Sequence, residues 1–199
     1  MSTLASTPLS RTTRALRTGI DTDPAHGAVI PPLHLSSTFS FAGLGEPRPY
    51  DYTRSGNPTR DLLAEALTTL EGGAGCAVTC TGMSAVTLVA TALAAPGQRV
   101  VIPHDAYGGT WRLFEKLKTR TTGATISYID LNNEQSLMAA IQENTALIWI
   151  ETPTNPLLEL VDIAKVCRIA KARAITTCVD NTFASAWNYK PLEMGADMV

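Results

Sequence analysis

The chain predicts an α/β fold, a mostly parallel sheet flanked by helices. Two observations carry that expectation. From Leu62 onward, short apolar runs of strand length alternate with segments whose apolar residues recur at helical spacing. The strand-length runs are also continuously apolar, ALIWI at 146–150 most clearly, as in parallel strands covered on both faces.

The elements follow in order. Residues 1–58 are rich in Ser, Thr, Pro and Gly, show little periodicity, and read as an extended N-terminal arm, with Pro31-Pro32 forcing extended backbone. Residues 59–199 read as a partial α/β domain. Leu62, Leu63, Ala66, Leu67 and Leu70 mark a helix that Gly72-Gly73 ends. Cys76–Thr79 is expected as a short strand, Met83–Ala94 as a helix stopped before Pro96-Gly97, and Arg99–Ile102 as a β-branched strand. Thr110–Lys118 predicts a helix with Trp111, Phe114 and Leu117 on one side. Thr125–Ile129, Ala146–Ile150 and Ile175–Val179 are expected strands. Leu137–Gln142 and Ile163–Ala172 are expected helices, and Asp197–Val199 opens a further strand. That last segment looks like the start of a buried strand and predicts a chain that continues beyond Val199.

Composition narrows the function. With 45% hydrophobic and 17% charged residues over 199 positions, the chain has the balance of a globular protein of one domain or two small ones. A net charge of −2 gives no electrostatic reason for a nucleic acid or membrane surface as partner. No apolar run approaches the ~18 residues of a membrane span. The basic start, with Arg11, Arg14 and Arg17, is read as an ordinary arm of a cytoplasmic protein. Cys76, Cys80, Cys167 and Cys178 form no CxxC pair and are expected as reduced, buried thiols. His26, His34 and His104 are scattered without HExxH spacing, so no metal site is predicted.

The glycines give no sequence support to a nicotinamide or ATP site. Gly72, Gly73 and Gly75 match neither a P-loop nor GxGxxG and read as a helix C-cap and turn. Thr81-Gly82-Met83-Ser84 lies between an expected strand and a helix, where unpaired amides can receive an anion. Tyr107 follows the Arg99–Ile102 strand, Asn155 lies in the turn TPTNP, and Asp180 ends a strand before Asn181-Thr182. These are the carboxyl ends of strands, where open α/β sheets bind ligands. Taken singly, each of these residues has an ordinary structural role: a turn, a cap or a solvated face.

Five motifs in order, YDYTRSGNPTR (50–60), TGMSA (81–85), HDAYGGTWRLF (104–114), ETPTNP (151–156) and VDNTF (179–183), resemble the pyridoxal-phosphate (PLP) enzymes of cysteine and methionine metabolism. The resemblance covers most of the chain and implies the large domain of a fold-type-I PLP enzyme. It implies that Gly82 and Met83 supply backbone N–H groups to the cofactor phosphate. Tyr52 and Arg54 would reach the phosphate bound by a neighbouring subunit, where a guanidinium matches phosphate oxygens. Tyr107 would stack on the pyridine ring near the moving protons and act in catalysis. Asn155 and Thr182 would lie beside the cofactor, and Asp180 would pair with the pyridinium nitrogen, keeping the ring an electron sink. Arg112 would face the substrate.

The resemblance also implies small amino-acid substrates and a homo-oligomer, a dimer of dimers. Within the family, GEPRPYDYTRSGNPTRD resembles the synthase branch. That branch replaces the acyl group of an O-succinyl- or O-acetyl-homoserine with cysteine. Gamma-lyase, beta-lyase and methionine gamma-lyase activities share nearly all of these residues and stay open as alternatives. Lys116, Lys118, Lys165 and Lys171 fall on expected helices with a solvated face, and Lys190 precedes the last strand. None lies in the family's S-x-T-K context, so the Schiff-base lysine is expected beyond Val199. The alternative of another class is an inactive fragment that at most holds PLP without covalent attachment.

Overall fold

The computed structural model describes residues 9–20 and 23–199. The first residues of the expected arm, 1–8, and residues 21–22 lie outside them. The chain divides into two compact units, Met1–Val78 and Thr79–Val199.

Among the described residues the first unit holds two helices. The first, α1 (Arg11–Arg17), lies in a segment whose sequence shows little periodicity. Its start is local chemistry: the Ser10 hydroxyl accepts the N–H of Thr13 at 3.2 Å. The second, α2 (Pro58–Glu71), begins at Asn57, whose Oδ1 accepts the Thr59 N–H at 2.9 Å, with Pro58 at the first helical position. It ends at Gly72, φ 76°, whose N–H bonds the Thr68 carbonyl, as the Gly-Gly pair predicts. Between the helices, Thr38 and Tyr52 form an antiparallel bridge, with Phe39 N–H to Asp51 carbonyl at 2.8 Å and Thr53 N–H to Ser37 carbonyl at 2.9 Å.

The second unit is a parallel four-stranded sheet. Its strands are β1 (Arg99–Pro103), β2 (Thr125–Ile129), β3 (Thr145–Glu151) and β4 (Thr176–Asp180), in the order β2-β1-β3-β4. The chain runs outward one way from β1 to β2, then returns past β1 to β3 and on to β4. The direction reverses between β1 and β3, the place where open α/β sheets take ligands.

Helices cover both faces. Val100, Ile102, Leu147, Trp149 and Cys178 point to one side, and pack with Val86 and Ala90 of α3 (Gly82–Leu93) and with Leu113 and Phe114. Val101, Ile148, Ile150 and Val179 point to the other, against Leu137 of α6 (Glu134–Ala140) and Ile163, Val166 and Ala170 of α7 (Ile163–Lys171). This strict alternation on strands buried on both sides explains why the central strands β1 and β3 read as unbroken apolar runs. A short helix, α8 (Ser185–Asn188), follows β4.

Several expectations are corrected. Cys76–Thr79 is not a strand among the described residues. Cys76 is exposed, and the segment has no ladder partner. Cys76 and Cys80 are both exposed, whereas Cys167 and Cys178 are buried as expected. The helix expected at Leu137–Gln142 runs Glu134–Ala140, because Asn133 caps it and Ile141 turns extended. Asp197–Val199 does begin alongside β4. Met198 N–H bonds the Thr177 carbonyl at 3.1 Å, and Val179 N–H bonds the Met198 carbonyl at 3.0 Å.

The segment expected as a simple helix over Thr110–Lys118 is a composite. An α turn, α4 (Gly108–Trp111), passes into a π-helical stretch (Arg112–Lys118) and back to α in α5 (Thr119–Thr122). The wider winding changes which residues share a face. Phe114 is fully buried, but Trp111 and Leu117 are 39% and 49% exposed. Lys118 turns inward instead of lying on a solvated face. It is 8% exposed, and its Nζ donates to Thr91 Oγ1 at 2.8 Å.

Candidate functional site

Three strand ends and one helix start build the site in the second unit. After β1 the chain passes His104-Asp105-Ala106 and reaches Tyr107, which precedes α4 and is 42% exposed. The ring lies close over Gly109. A Cβ built on Gly109 would stand 2.5 Å from Tyr107 Cε1 and 2.8 Å from Met83 Sδ. Glycine there lets the Tyr107 ring and the Met83 side chain meet above the backbone. Two of the residues picked from sequence, 24 positions apart, are therefore brought together.

The start of α3 faces open space. Thr81 caps it, its Oγ1 accepting the Ser84 N–H at 3.0 Å. No acceptor for the N–H groups of Gly82 and Met83 is found among the described residues, and nothing lies within 4 Å of the direction a Gly82 side chain would take. Two free amides at the positive end of a three-turn helix, with room before them, fit an anionic group such as a phosphate. On this observation the residues present fit PLP.

Asp180 closes β4, and its partner in the ladder is Glu151 at the end of β3. Its Oδ1 accepts both the N–H of Thr182 at 3.1 Å and the Thr182 hydroxyl at 2.5 Å. Thr182 thus holds the carboxylate of Asp180. Asn155 follows β3, and its backbone N–H donates to Glu151 Oε1 at 2.9 Å. Arg112 stands exposed on the first turn of the π stretch, its Nη1 3.4 Å from where a Gly108 Cβ would lie.

Tyr52 and Arg54 belong to the first unit and form a pair there. The Arg54 guanidinium lies 4.9 Å over the Tyr52 ring, and both residues are exposed. Asp51 orders the turn beside them, its Oδ1 accepting the Tyr52 N–H at 2.6 Å and the Ser55 hydroxyl at 2.8 Å. Those bonds hold the Asp51 carboxyl below the usual carboxylate range.

Sequence reasoning passed over Glu151. Its carboxylate is 4% exposed and accepts the Tyr107 N–H through Oε1 at 3.0 Å and Oε2 at 2.9 Å, besides the Asn155 bond. Burial pushes the Glu151 carboxyl above its usual range; the two backbone bonds pull it down, and Asp180 and Asp105 nearby add to the rise. A signal was present: an acid ends the otherwise apolar run ALIWIE. A second grouping was also missed, because Glu159 is far from His104 and Asp105 in sequence. One donor atom from each of the three lies within 4.8 Å of the others, a set with the chemistry to meet a divalent cation.

Comparison with known proteins supplies the family. The chain is 49% identical over 187 residues to cystathionine gamma-synthase of Escherichia coli strain K12, covering 94% of this chain and 48% of that enzyme. It is 42% identical to cystathionine beta-lyase of Lactococcus lactis subsp. cremoris strain MG1363, covering 94% of this chain and 49% of the lyase. Among solved structures, cystathionine gamma-synthase of Xanthomonas oryzae pv. oryzae, in complex with aminoacrylate and cysteine, superposes with a TM-score of 0.93 at 52% identity. That match covers 96% of this chain and 49% of the other. The chain spans about half the length of these relatives. The sequence profile of the Cys/Met metabolism PLP-dependent enzymes matches residues 12–199. That match runs through both units and across every strand end just described, and by it the chain belongs to the Cys/Met metabolism PLP-dependent enzyme family.

Proposed function

We propose that the protein is the synthase of this family, joining an O-acyl-homoserine to cysteine by replacement at the γ carbon to give cystathionine. The carrying observation is the greater identity to synthases, 49% and 52%, than to the beta-lyase at 42%. Bound PLP supplies an electron sink for charge that develops on the substrate. In this reading Gly82 and Met83 receive the phosphate on their free amides. Asp180, held by Thr182, faces the ring nitrogen, and the Tyr107 ring covers the pyridine face. Asn155 borders the ring, Arg112 meets the substrate carboxylate, and Tyr52 with Arg54 completes the phosphate site of a neighbouring subunit.

The assembly in this reading is a cytoplasmic homotetramer, a dimer of dimers. Exposed apolar residues in the first unit, Val29, Ile30, Leu33, Leu35 and Leu44, support an interface with further copies. No helix among the described residues is long and apolar enough to cross a membrane. Four of the five lysines have other partners. Lys116 lies over Trp111, Lys118 bonds Thr91, Lys165 pairs with Glu134 and Lys190 with Glu193.

The test is product analysis with the full-length protein and PLP. Formation of cystathionine from O-succinyl- or O-acetyl-homoserine plus cysteine is expected, and the faster ester identifies the substrate. Release of ammonia and a keto acid from cystathionine, without net synthesis, would overturn the synthase reading in favour of a lyase.

A further inference from the structure

We infer that Glu151 is a positioning residue that locks the two cofactor-bearing loops together across the point where the strand order of the sheet reverses. The inference rests on the PLP site proposed above and adds to it a group that touches neither cofactor nor substrate.

The geometry is a clamp. Tyr107 lies on the loop after β1 and Asn155 on the loop after β3, and nothing in the covalent chain holds these loops at a fixed separation. Glu151 Oε1 accepts both backbone N–H groups, at 3.0 and 2.9 Å, and Oε2 takes a second share of Tyr107 at 2.9 Å. A carboxylate suits this place because it only accepts. A glutamine would turn an NH₂ donor toward an N–H, and an aspartate would fall one methylene short.

The placement is costly in other respects. The neighbouring β3 positions are filled by buried Leu147, Ile148, Trp149 and Ile150, and an apolar residue at 151 would continue that packing. Instead a carboxylate is buried opposite Asp180 in the ladder, with Asp105 also near. Burying a like-charged group beside two others opposes folding. A residue that costs stability in a sheet core and satisfies two loops is of the kind found where position matters more than stability. What it positions is specific: the Tyr107 ring over Gly109 and Met83, and the Asn155 turn opposite it.

The experiment uses the full-length protein and its E151L, E151Q and E193Q variants; Glu193 is an exposed partner of Lys190. Three readouts are taken: PLP affinity by fluorescence titration, the circular dichroism band of bound PLP, and thermal unfolding. E151L leaves two amides without an acceptor and is expected to weaken PLP binding about tenfold or more, with a smaller or inverted dichroism band per bound cofactor. E151Q keeps one acceptor oxygen and is expected to weaken binding about threefold with the same change of band. E193Q is expected to match wild type. If E151L does not fold, E151Q decides alone. A wild-type dichroism band and wild-type affinity in E151Q, whatever its melting temperature, would overturn the positioning role. Failure of the wild type itself to bind PLP would overturn the cofactor reading, a distinguishable outcome.

Discussion

Thr182 gives two hydrogen bonds to one oxygen of Asp180, its N–H at 3.1 Å and its hydroxyl at 2.5 Å, both to Oδ1. The other oxygen is left for a partner outside the turn. Replacing Thr182 with valine keeps the shape and the N–H but removes the hydroxyl. A hydrogen bond to a charged group contributes about 1.5–3 kcal/mol, so T182V is expected to weaken PLP binding by roughly tenfold. T182S is expected to keep wild-type affinity. A fluorescence titration showing T182V equal to wild type would remove Thr182 from the site.

Gly109 sits under the Tyr107 ring. A methyl group there would meet Tyr107 Cε1 at 2.5 Å and Met83 Sδ at 2.8 Å, so the ring must shift. Overpacking of this kind costs about 1–3 kcal/mol. G109A is expected to lower PLP affinity and blue-shift the absorbance of the bound cofactor, while Y107F keeps the affinity. An unchanged spectrum in G109A would show that the ring does not cover the cofactor.

Glu151 gives stability a pH dependence with a definite sign. Its folded pKa is raised above the usual 4.5 by burial, so the folded state holds the proton more tightly than the unfolded chain does. The stability from that difference is complete below about pH 4.5 and is lost as pH rises through the folded value. E151Q cannot titrate at this position. The melting temperature of wild type minus that of E151Q is therefore expected to fall as pH rises from 4.5 toward neutrality. A flat difference would contradict the shift.

The buried Lys118 donates to the hydroxyl of Thr91 on the exposed side of α3, Nζ to Oγ1 at 2.8 Å. T91V leaves a buried ammonium without that acceptor and is expected to cost about 1–3 kcal/mol in urea unfolding. The double variant T91V with K118M removes both polar groups and is expected to recover most of the loss. Additive losses in the double variant would show that the bond contributes nothing as a pair.

The sheet was legible at its two central strands, which are covered on both faces, so Val100–Ile102 and Leu147–Ile150 read as unbroken apolar runs. The Asn57 cap and the Gly72 stop of α2 were legible because capping is chemistry between near neighbours. The π stretch was not. Trp111, Phe114 and Leu117 read as one helical face, and nothing in that spacing marks the wider turn in which Leu113, Phe114 and Lys118 are the buried residues. Cys76–Thr79 misled because a short apolar run needs a partner to become a strand, and its sequence cannot supply one. At the site, Tyr107, Asn155 and Asp180 could be placed at strand ends from local pattern. Glu151 could not be given a role, since its hydrogen bonds go to backbone 44 residues back and four ahead.

The π stretch makes this region unusually suited to losing a residue. An α-helix advances about 100° per residue, so removing one amino acid from an ordinary helix swings everything beyond it to a new face. A π turn already holds a surplus residue. Deleting one residue from Arg112–Lys118 would let the whole span from Gly108 to Thr122 wind as one α-helix, with every later residue near its present direction. Length variation among relatives should therefore collect here, where a shorter helix is the regular one.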